Sequence, residues 1–203
     1  MHKCLYLGLD PPPHVFHYPV ICTERIDSPF VAEANLQWEK MTHLIFTSKR
    51  AVTYWEEMRP LRGDKVCIAI GPGTGDELKK RGIQPLIAPY ATQEGVIAVI
   101  EEVEKKEKDS FFFYPHSLGA RPLLAEYLAK RGVRYLEFSL YRTLLQRKEP
   151  VPNPFDFDEI VFTSPSTVDG FLAIFGSLPK GPRLTSIGPI TRAKLIASVF
   201  SWV

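Results

Sequence analysis

Two nearly identical phrases of small hydroxylated residues stand at the ends of apolar runs in this sequence. The first is IFTSKRAV, from Ile45 to Val52, and the second is VFTSPSTV, from Val161 to Val168. In each phrase the apolar run stops at Thr-Ser and a helical pattern begins at once, so the first backbone N–H groups of that helix lack helical partners. Such N–H groups and the neighbouring hydroxyls can donate hydrogen bonds to a carboxylate or a phosphate, each contributing roughly 1 kcal/mol.

A glycine motif follows each phrase at nearly the same interval. AIGPGT, which contains Gly71 and Thr74, begins about two dozen residues after the start of the first phrase, and SIGPIT, which contains Gly188 and Thr191, follows the start of the second phrase in the same way. Two different motifs that recur in the same order are typical of an internal repeat. The sequence therefore predicts two related α/β halves.

The hydroxyl side chains at these ends form a candidate binding set, which comprises Ser48, Thr74, Ser164, Ser166 and Thr191. Taken singly, each of them is better explained as an ordinary helix N-cap. Capping explains the hydroxyls but not the paired order of the motifs, and that order favours a ligand site. Because ligands of open α/β sheets bind at the carboxyl ends of the strands, we expect the two halves to offer these donors to one cleft.

Several other chemistries are not indicated. The segment GPGTG lacks the Gly-Lys-Ser/Thr ending of a phosphate loop, and its spacing does not fit a dinucleotide fingerprint. The five histidines show neither metal-ligand spacing nor a nucleophile motif with Ser or Cys. Cys4, Cys22 and Cys67 are odd in number and form no CxxC pair, so we expect buried thiols in a reducing compartment. The sequence predicts no metal site and no covalent chemistry.

Composition and charge exclude further classes of protein. The 203 residues include 25 basic and 23 acidic ones, and a net charge of +2 gives no overall field to attract nucleic acid. No apolar run approaches the roughly 18 residues of a membrane span, and the N-terminus reaches charged and proline residues too early for a secretory signal. We therefore expect a cytoplasmic protein that binds neither membrane nor nucleic acid.

Short apolar runs alternate with helical patterns along the whole chain. Most of these runs are continuous rather than alternating, as in parallel sheets that are covered on both faces. The predicted strands are Cys4–Leu9, Tyr18–Cys22, His43–Thr47, Val66–Ile70, Pro85–Ala88, Phe111–Tyr114, Tyr135–Leu140, Glu159–Thr163 and Arg183–Ile187. This alternation predicts an α/β fold with parallel sheets.

The motifs together resemble those of the uroporphyrinogen-III synthase family. The resemblance rests on the paired segments FTSKRAV and FTSPSTV, the paired segments IGPGT and IGPIT, and the segments ATQEGVIAVI and YPHSLGARPLLAEYLAKRGVRYLEFSLYRT. The match runs in order along the chain from about Tyr18 to Leu195. It implies two flavodoxin-like parallel-sheet domains joined by a two-segment hinge. The first domain would be discontinuous, with residues 1–22 and 151–203, and the second would be inserted as residues 26–145.

The resemblance also implies where the chain departs from the family pattern. The hinge crossings would lie near Cys22–Ile26 and Tyr141–Val151. The segment LGLDPPP near the N-terminus leaves little room for the family's first helix, and Ser201-Trp202-Val203 follows where a further strand and helix would be expected. We therefore expect a shortened first domain, which bears on activity more than on fold.

The implied activity is the cyclisation of hydroxymethylbilane to uroporphyrinogen III in haem biosynthesis. This reaction loses water, inverts the last pyrrole ring of the linear tetrapyrrole and uses no cofactor. Without a protein the molecule closes without inversion, so the enzyme would act mainly by holding the substrate in the productive geometry. We expect a monomer, and a transient contact with the preceding enzyme of the pathway is left open. The alternative is a non-catalytic two-lobed module that binds a small polycarboxylate.

Residue roles follow from matching positions in the family motifs. Tyr141 in SLYRT matches a tyrosine that assists departure of the hydroxyl group, and a phenol with a pKa near ~10 stays protonated at neutral pH. Thr74 and Thr191 match threonines that line the cleft. Arg121 matches a basic position that would pair with a propionate, although an arginine in solvent at the start of a helix fits the sequence equally well.

The remaining matches would hold substrate carboxylates through hydroxyls or backbone N–H groups. They are Ser48, Ser164, Ser166, Gly71 and Gly188.

Overall fold

The computed structural model describes residues 2–27 and 29–200, and the chain divides into two compact units. Unit 1 contains the chain up to Thr23 and from Thr143 onward, and unit 2 is the continuous segment Glu24–Arg142. The domain limits predicted from the sequence stay a prediction. Ser201–Val203, on which part of the expected shortening rests, lies outside the described residues.

The described residues form ten strands and seven α-helices. The strands are β1 (Cys4–Tyr6), β2 (Phe16–His17), β3 (Ile21–Arg25), β4 (His43–Phe46), β5 (Val66–Ala69), β6 (Leu86–Ile87), β7 (Phe111–Ser117), β8 (Arg134–Leu145), β9 (Glu159–Phe162) and β10 (Arg183–Ser186). The helices are α1 (Phe30–Gln37), α2 (Lys49–Met58), α3 (Pro72–Lys79), α4 (Gln93–Lys106), α5 (Leu123–Arg131), α6 (Pro165–Phe175) and α7 (Pro189–Phe200).

The larger sheet has the strand order β3-β8-β7-β4-β5-β6, and the pairs from β8 to β6 are parallel. Its two faces support separate cores of unit 2. Phe46 and Phe113 pack with Trp55 of α2 on one face, whereas Ile45 and Phe112 pack on the other face with residues of α4 and α5. Because both faces are covered, β4 and β7 are continuous apolar runs, as the sequence predicted.

Unit 1 contains a four-stranded parallel sheet of order β10-β9-β1-β2. Leu5, Ile160 and Phe162 of this sheet pack against Phe171 of α6. Gly170 allows this helix to lie close to the chain, because a Cβ atom at that position would stand 2.8 Å from the carbonyl oxygen of Val20. Both sheets confirm the predicted α/β fold with parallel strands.

The structure adds one strand to the prediction and extends three others. The strand β2 was not predicted, while β3 runs on to Arg25, β7 to Ser117 and β8 to Leu145. The extension of β8 places Tyr141 inside a strand rather than just after one. Among the described residues, no helix has both the length and the apolar character needed to cross a membrane.

Candidate active site

Several predicted site residues of unit 2 lie at one edge of the larger sheet. The strands β8, β7, β4 and β5 are neighbours and run parallel, so their carboxyl ends meet at the same edge. Ser48 lies two residues beyond the end of β4, Gly71 lies two residues beyond the end of β5, and Tyr141 lies in the second half of β8. The topology therefore gathers these residues from segments that are far apart in the sequence.

Ser48 and Tyr141 are in direct contact. The Ser48 Oγ and the Tyr141 hydroxyl oxygen are 2.8 Å apart, which is the length of a good O–H···O hydrogen bond. Ser48 is also the N-cap of α2, since its Oγ accepts the backbone N–H of Ala51 at 3.0 Å. The capping role and the site role considered from the sequence are therefore compatible, because one hydroxyl serves both partners.

A β-bulge gives Tyr141 its orientation. The register of β7 and β8 pairs His116 with Ser139 and then Ser117 with Tyr141, so Leu140 is an extra residue on β8. In a regular strand Leu140 and Tyr141 would point to opposite faces, whereas both side chains are buried in the same core of unit 2. The bulge thus brings the phenol ring to the face on which its hydroxyl reaches Ser48.

The environment of Tyr141 keeps its hydroxyl protonated. The side chain is only 6% exposed, and this burial raises the pKa of the phenol, while hydrogen bonds with Ser48 and Ser117 lower the pKa by a smaller amount. The net shift of the pKa is upward. At neutral pH the phenol is consequently a hydrogen-bond donor.

Ser117 was not singled out in the sequence. Its position in YPHS gives no local sign of function, because the register shift that brings it beside Tyr141 depends on the pairing of two distant segments. The signal that could have found it is its place at the end of a strand adjacent to the tyrosine strand.

The start of α3 presents the predicted donors near Gly71. Gly71 is the N-cap residue and offers no side chain to the first turn, which holds the buried hydroxyl residue Thr74. A Cβ atom at Gly71 would stand 2.9 Å from the Cβ of Ala91, so this position requires a glycine. Without a side-chain cap, the first N–H groups of α3 are suited to an anionic group.

Arg121 already has an anionic partner. Its guanidinium donates to both carboxylate oxygens of Glu94, at 3.1 and 3.0 Å. This bidentate contact is the main reason that the pKa of Glu94 is lowered to about 2. A substrate propionate would have to share the guanidinium with Glu94 or displace the Glu94 carboxylate from it. The predicted role of Arg121 therefore stays a prediction.

Unit 1 holds the second group of predicted residues. Ser164 and Gly188 follow the neighbouring parallel strands β9 and β10, and the two hydroxyls of Ser164 and Ser166 are 3.3 Å apart. Ser164 caps α6 in a capping box with Thr167. Thr191 is buried in the first turn of α7. Both copies of the repeated strand end therefore form the same local structure, a serine-capped helix at the carboxyl end of a strand.

Acidic, histidine and cysteine side chains do not cluster in a way that fits a metal. Over residues 2–27 and 29–200, no group of three or more such side chains could hold a metal ion. The donors at the two carboxyl edges are hydroxyls and backbone N–H groups, which suit carboxylates better than cations.

Comparisons with known proteins agree with this fold. The family model of uroporphyrinogen-III synthase HemD matches residues 14–201. No curated protein sequence matches the chain. A crystal structure of uroporphyrinogen-III synthetase from Helicobacter pylori is similar with a TM-score of 0.72 and 16% identity, covering 98% of this chain and 90% of that one.

A mutant uroporphyrinogen III synthase from Thermus thermophilus is similar with a TM-score of 0.61 and 18% identity, covering 98% of this chain and 90% of that one. At such identities the solved structures show the shared fold. The family match extends over most of the sequence, including all the repeated strand ends. The chain belongs to the uroporphyrinogen-III synthase family.

Proposed function

We propose that the protein cyclises hydroxymethylbilane to uroporphyrinogen III and that Tyr141, oriented by Ser48 and Ser117, assists departure of the substrate hydroxyl. The observation that carries this proposal is the 2.8 Å contact between the Ser48 Oγ and the Tyr141 hydroxyl. It joins a repeated strand end to the tyrosine that matches the family motif. The binding-module alternative has no comparable observation in its favour.

The hydrogen bonds around Tyr141 leave its proton available to the substrate. The Ser48 Oγ already accepts the Ala51 N–H, and its own proton can be donated to the phenol oxygen. Ser117 can donate to the same oxygen, and both contacts lower the phenol pKa. When both serines donate in this way, the phenol O–H is free to point toward the substrate.

In the reaction the C–O bond of the hydroxymethyl group breaks and the hydroxyl leaves as water. The phenol O–H donates a hydrogen bond to that oxygen, which stabilises the negative charge that develops as the bond breaks. A new bond then forms between the hydroxymethyl carbon and the substituted carbon of the last ring. The bond from that carbon to the preceding bridge breaks, and the bridge carbon rejoins the ring at its free position. That position loses its C–H proton, which inverts the ring and balances the loss of water. Because the phenol pKa is raised, Tyr141 carries its proton until the C–O bond breaks. The departing hydroxyl takes this proton and leaves as water, and the proton released later by the last ring restores the phenol.

The other predicted residues would bind the acetate and propionate groups. In unit 2 these are Thr74 and the first N–H groups of α3 near Gly71, and in unit 1 they are Ser164, Ser166, Thr191 and the backbone near Gly188. Each contact of this type contributes roughly 1 kcal/mol, so a substrate with carboxylates on every ring gains from many of them. We propose that the enzyme is cytoplasmic and acts as a monomer, and light scattering of the purified protein tests the monomeric state.

Turnover by Tyr141→Phe tests the proposed role of the phenol. The variant keeps the buried ring but lacks the O–H, and we expect kcat for the inverted isomer to fall roughly 100-fold. Tyr127→Phe is the matched control, because that hydroxyl donates a hydrogen bond to Glu101 on the helical surface of the same unit and makes no described contact with Tyr141. Chromatographic separation of the two cyclic isomers measures both rates against the spontaneous, uninverted background. Wild-type turnover in Tyr141→Phe would refute the role of the phenol.

A further inference from the structure

A cavity of about 520 Å³ lies in unit 2 between the edge strand β6 and the second half of α4. Its volume falls within the roughly 300–1,000 Å³ of small-molecule sites. The lining is mainly apolar, and its aliphatic members include Val66, Leu86, Ile87, Val99 and Val103. One aromatic polar side chain, that of His43, also lines it.

The Nε2 atom of His43 has no hydrogen-bond partner among the residues that the structure describes. The side chain is 1% exposed, and Nδ1 is engaged by the Thr42 hydroxyl at 2.7 Å. The nearest carboxylate oxygen, on Glu107, stands 3.7 Å from Nε2, which is too long for a hydrogen bond. A buried ring nitrogen without a partner carries a substantial desolvation cost, so a ligand that supplies one is favoured.

The chemistry of this nitrogen limits the class of ligand. Burial lowers the pKa of His43, and the nearby Glu107 only partly opposes this, so the ring is neutral at neutral pH. In a neutral ring Nε2 is either a donor or an acceptor, and a hydroxyl group can satisfy both forms. The charged residues of the lining, Glu102, Lys106 and Glu107, have both signs and therefore do not select a charged ligand.

We propose that this cavity binds a small, uncharged, apolar molecule with one hydroxyl group, of the phenol class, whose hydroxyl pairs with His43 Nε2. The apolar body of the molecule packs against the aliphatic residues of β6 and α4. His43 stands at the amino end of β4, whereas Ser48 follows its carboxyl end, about 16 Å along the chain direction. The cavity is therefore separate from the site that acts on hydroxymethylbilane.

Phenol and toluene are the probes that test this proposal, since they have similar rings and differ in the hydroxyl. Titration of the full chain is followed by NMR of the methyl groups of Val66, Leu86, Ile87 and Val103 and of the His43 ring nitrogens. We expect saturable shifts at these residues, with phenol binding roughly fivefold or more tightly than toluene because of one additional hydrogen bond.

Two variants make the result specific. His43→Phe keeps a ring beside Phe112, which lies 5.0 Å from the His43 ring, and should bind the two probes equally. Val66→Trp, at a partly exposed position in the lining, should fill the cavity and abolish binding of both. The proposal is overturned by the absence of saturable shifts, by equal affinities in the wild type, or by a phenol preference that survives in His43→Phe. A His43 Nε2–H bonded to Glu107 in the free protein would overturn it as well.

Discussion

Replacement of Ser48 separates the two roles of a single hydroxyl. Its Oγ accepts the Ala51 N–H as the cap of α2 and contacts the buried phenol of Tyr141. Loss of an N-cap costs about 1 kcal/mol, and loss of the second hydrogen bond costs about 1 kcal/mol more. We therefore expect Ser48→Ala to lower the free energy of unfolding of unit 2 by about 2 kcal/mol, and Ser48→Asn, which can still cap, by about half as much.

The change in kcat should depend on whether the contact with Tyr141 is lost, and not on whether the helix cap is lost. Both variants lose the hydroxyl that orients Tyr141, so kcat should fall roughly fivefold to tenfold in each, the equivalent of about 1 kcal/mol. The fall is smaller than for Tyr141→Phe, because Ser117 and the core packing still hold the ring. Ser48→Thr keeps a hydroxyl in both roles and should retain most of the activity.

Unfolding of unit 2 can be measured with its own tryptophans. Trp38 and Trp55 are stacked in one core, with ring centroids 5.8 Å apart, so their fluorescence in urea reports on this unit in a Trp202→Phe background. The yield of inverted isomer gives kcat on the same preparations. Full turnover in Ser48→Asn would refute the orienting role, because that variant keeps the cap and lacks the hydroxyl at Tyr141.

Three further changes test other parts of the structure. Gly170→Ala should destabilise unit 1 by about 1–3 kcal/mol, measured by calorimetry, because its Cβ would stand 2.8 Å from the Val20 oxygen; an unchanged melting temperature would contradict this packing. The pKa of Glu159 is lowered from 4.5 to about 2, chiefly by the hydrogen bond from Thr185, so its stabilising contribution is complete above pH 4.5 and is lost as the pH falls toward 2. Circular dichroism should show that Glu159→Gln removes this part of the acid sensitivity, and an unchanged acid profile would count against it. Arg121→Gln should raise KM severalfold at constant kcat, whereas an unchanged KM would mean that its bond to the substrate is absent.

The parts of the structure that the sequence predicted depend on local signals. The α/β fold and the family were confirmed, because alternating apolar runs and repeated strand ends are each encoded within a few adjacent residues. Ser48 and Ser164 both cap helices directly after strands, as the hydroxyl at the junction of the two patterns indicated. The roles of the site residues in binding and catalysis stay predictions.

What could not be predicted depends on pairing between distant segments. The bulge opposite His116 and Ser117 arises from a change of register between β7 and β8. The residue types within β8 do not indicate where this change occurs. The contact between Arg121 and Glu94 joins two helical regions that meet only after folding. The strand β2 has two exposed residues, so it has no apolar run and owes its conformation to its pairing with β1.

The interrupted sequence of unit 1 has a consequence for synthesis on the ribosome. The strand β1 emerges early, but its partner β9 is translated only after the whole of unit 2. Unit 2 is continuous, so it can complete both of its cores before β9 is synthesised. During that time the N-terminal segment has no β9 with which β1 can pair. We expect nascent chains in which Leu145 has just left the ribosomal tunnel to protect unit 2 against protease and to leave the N-terminal segment open to cleavage.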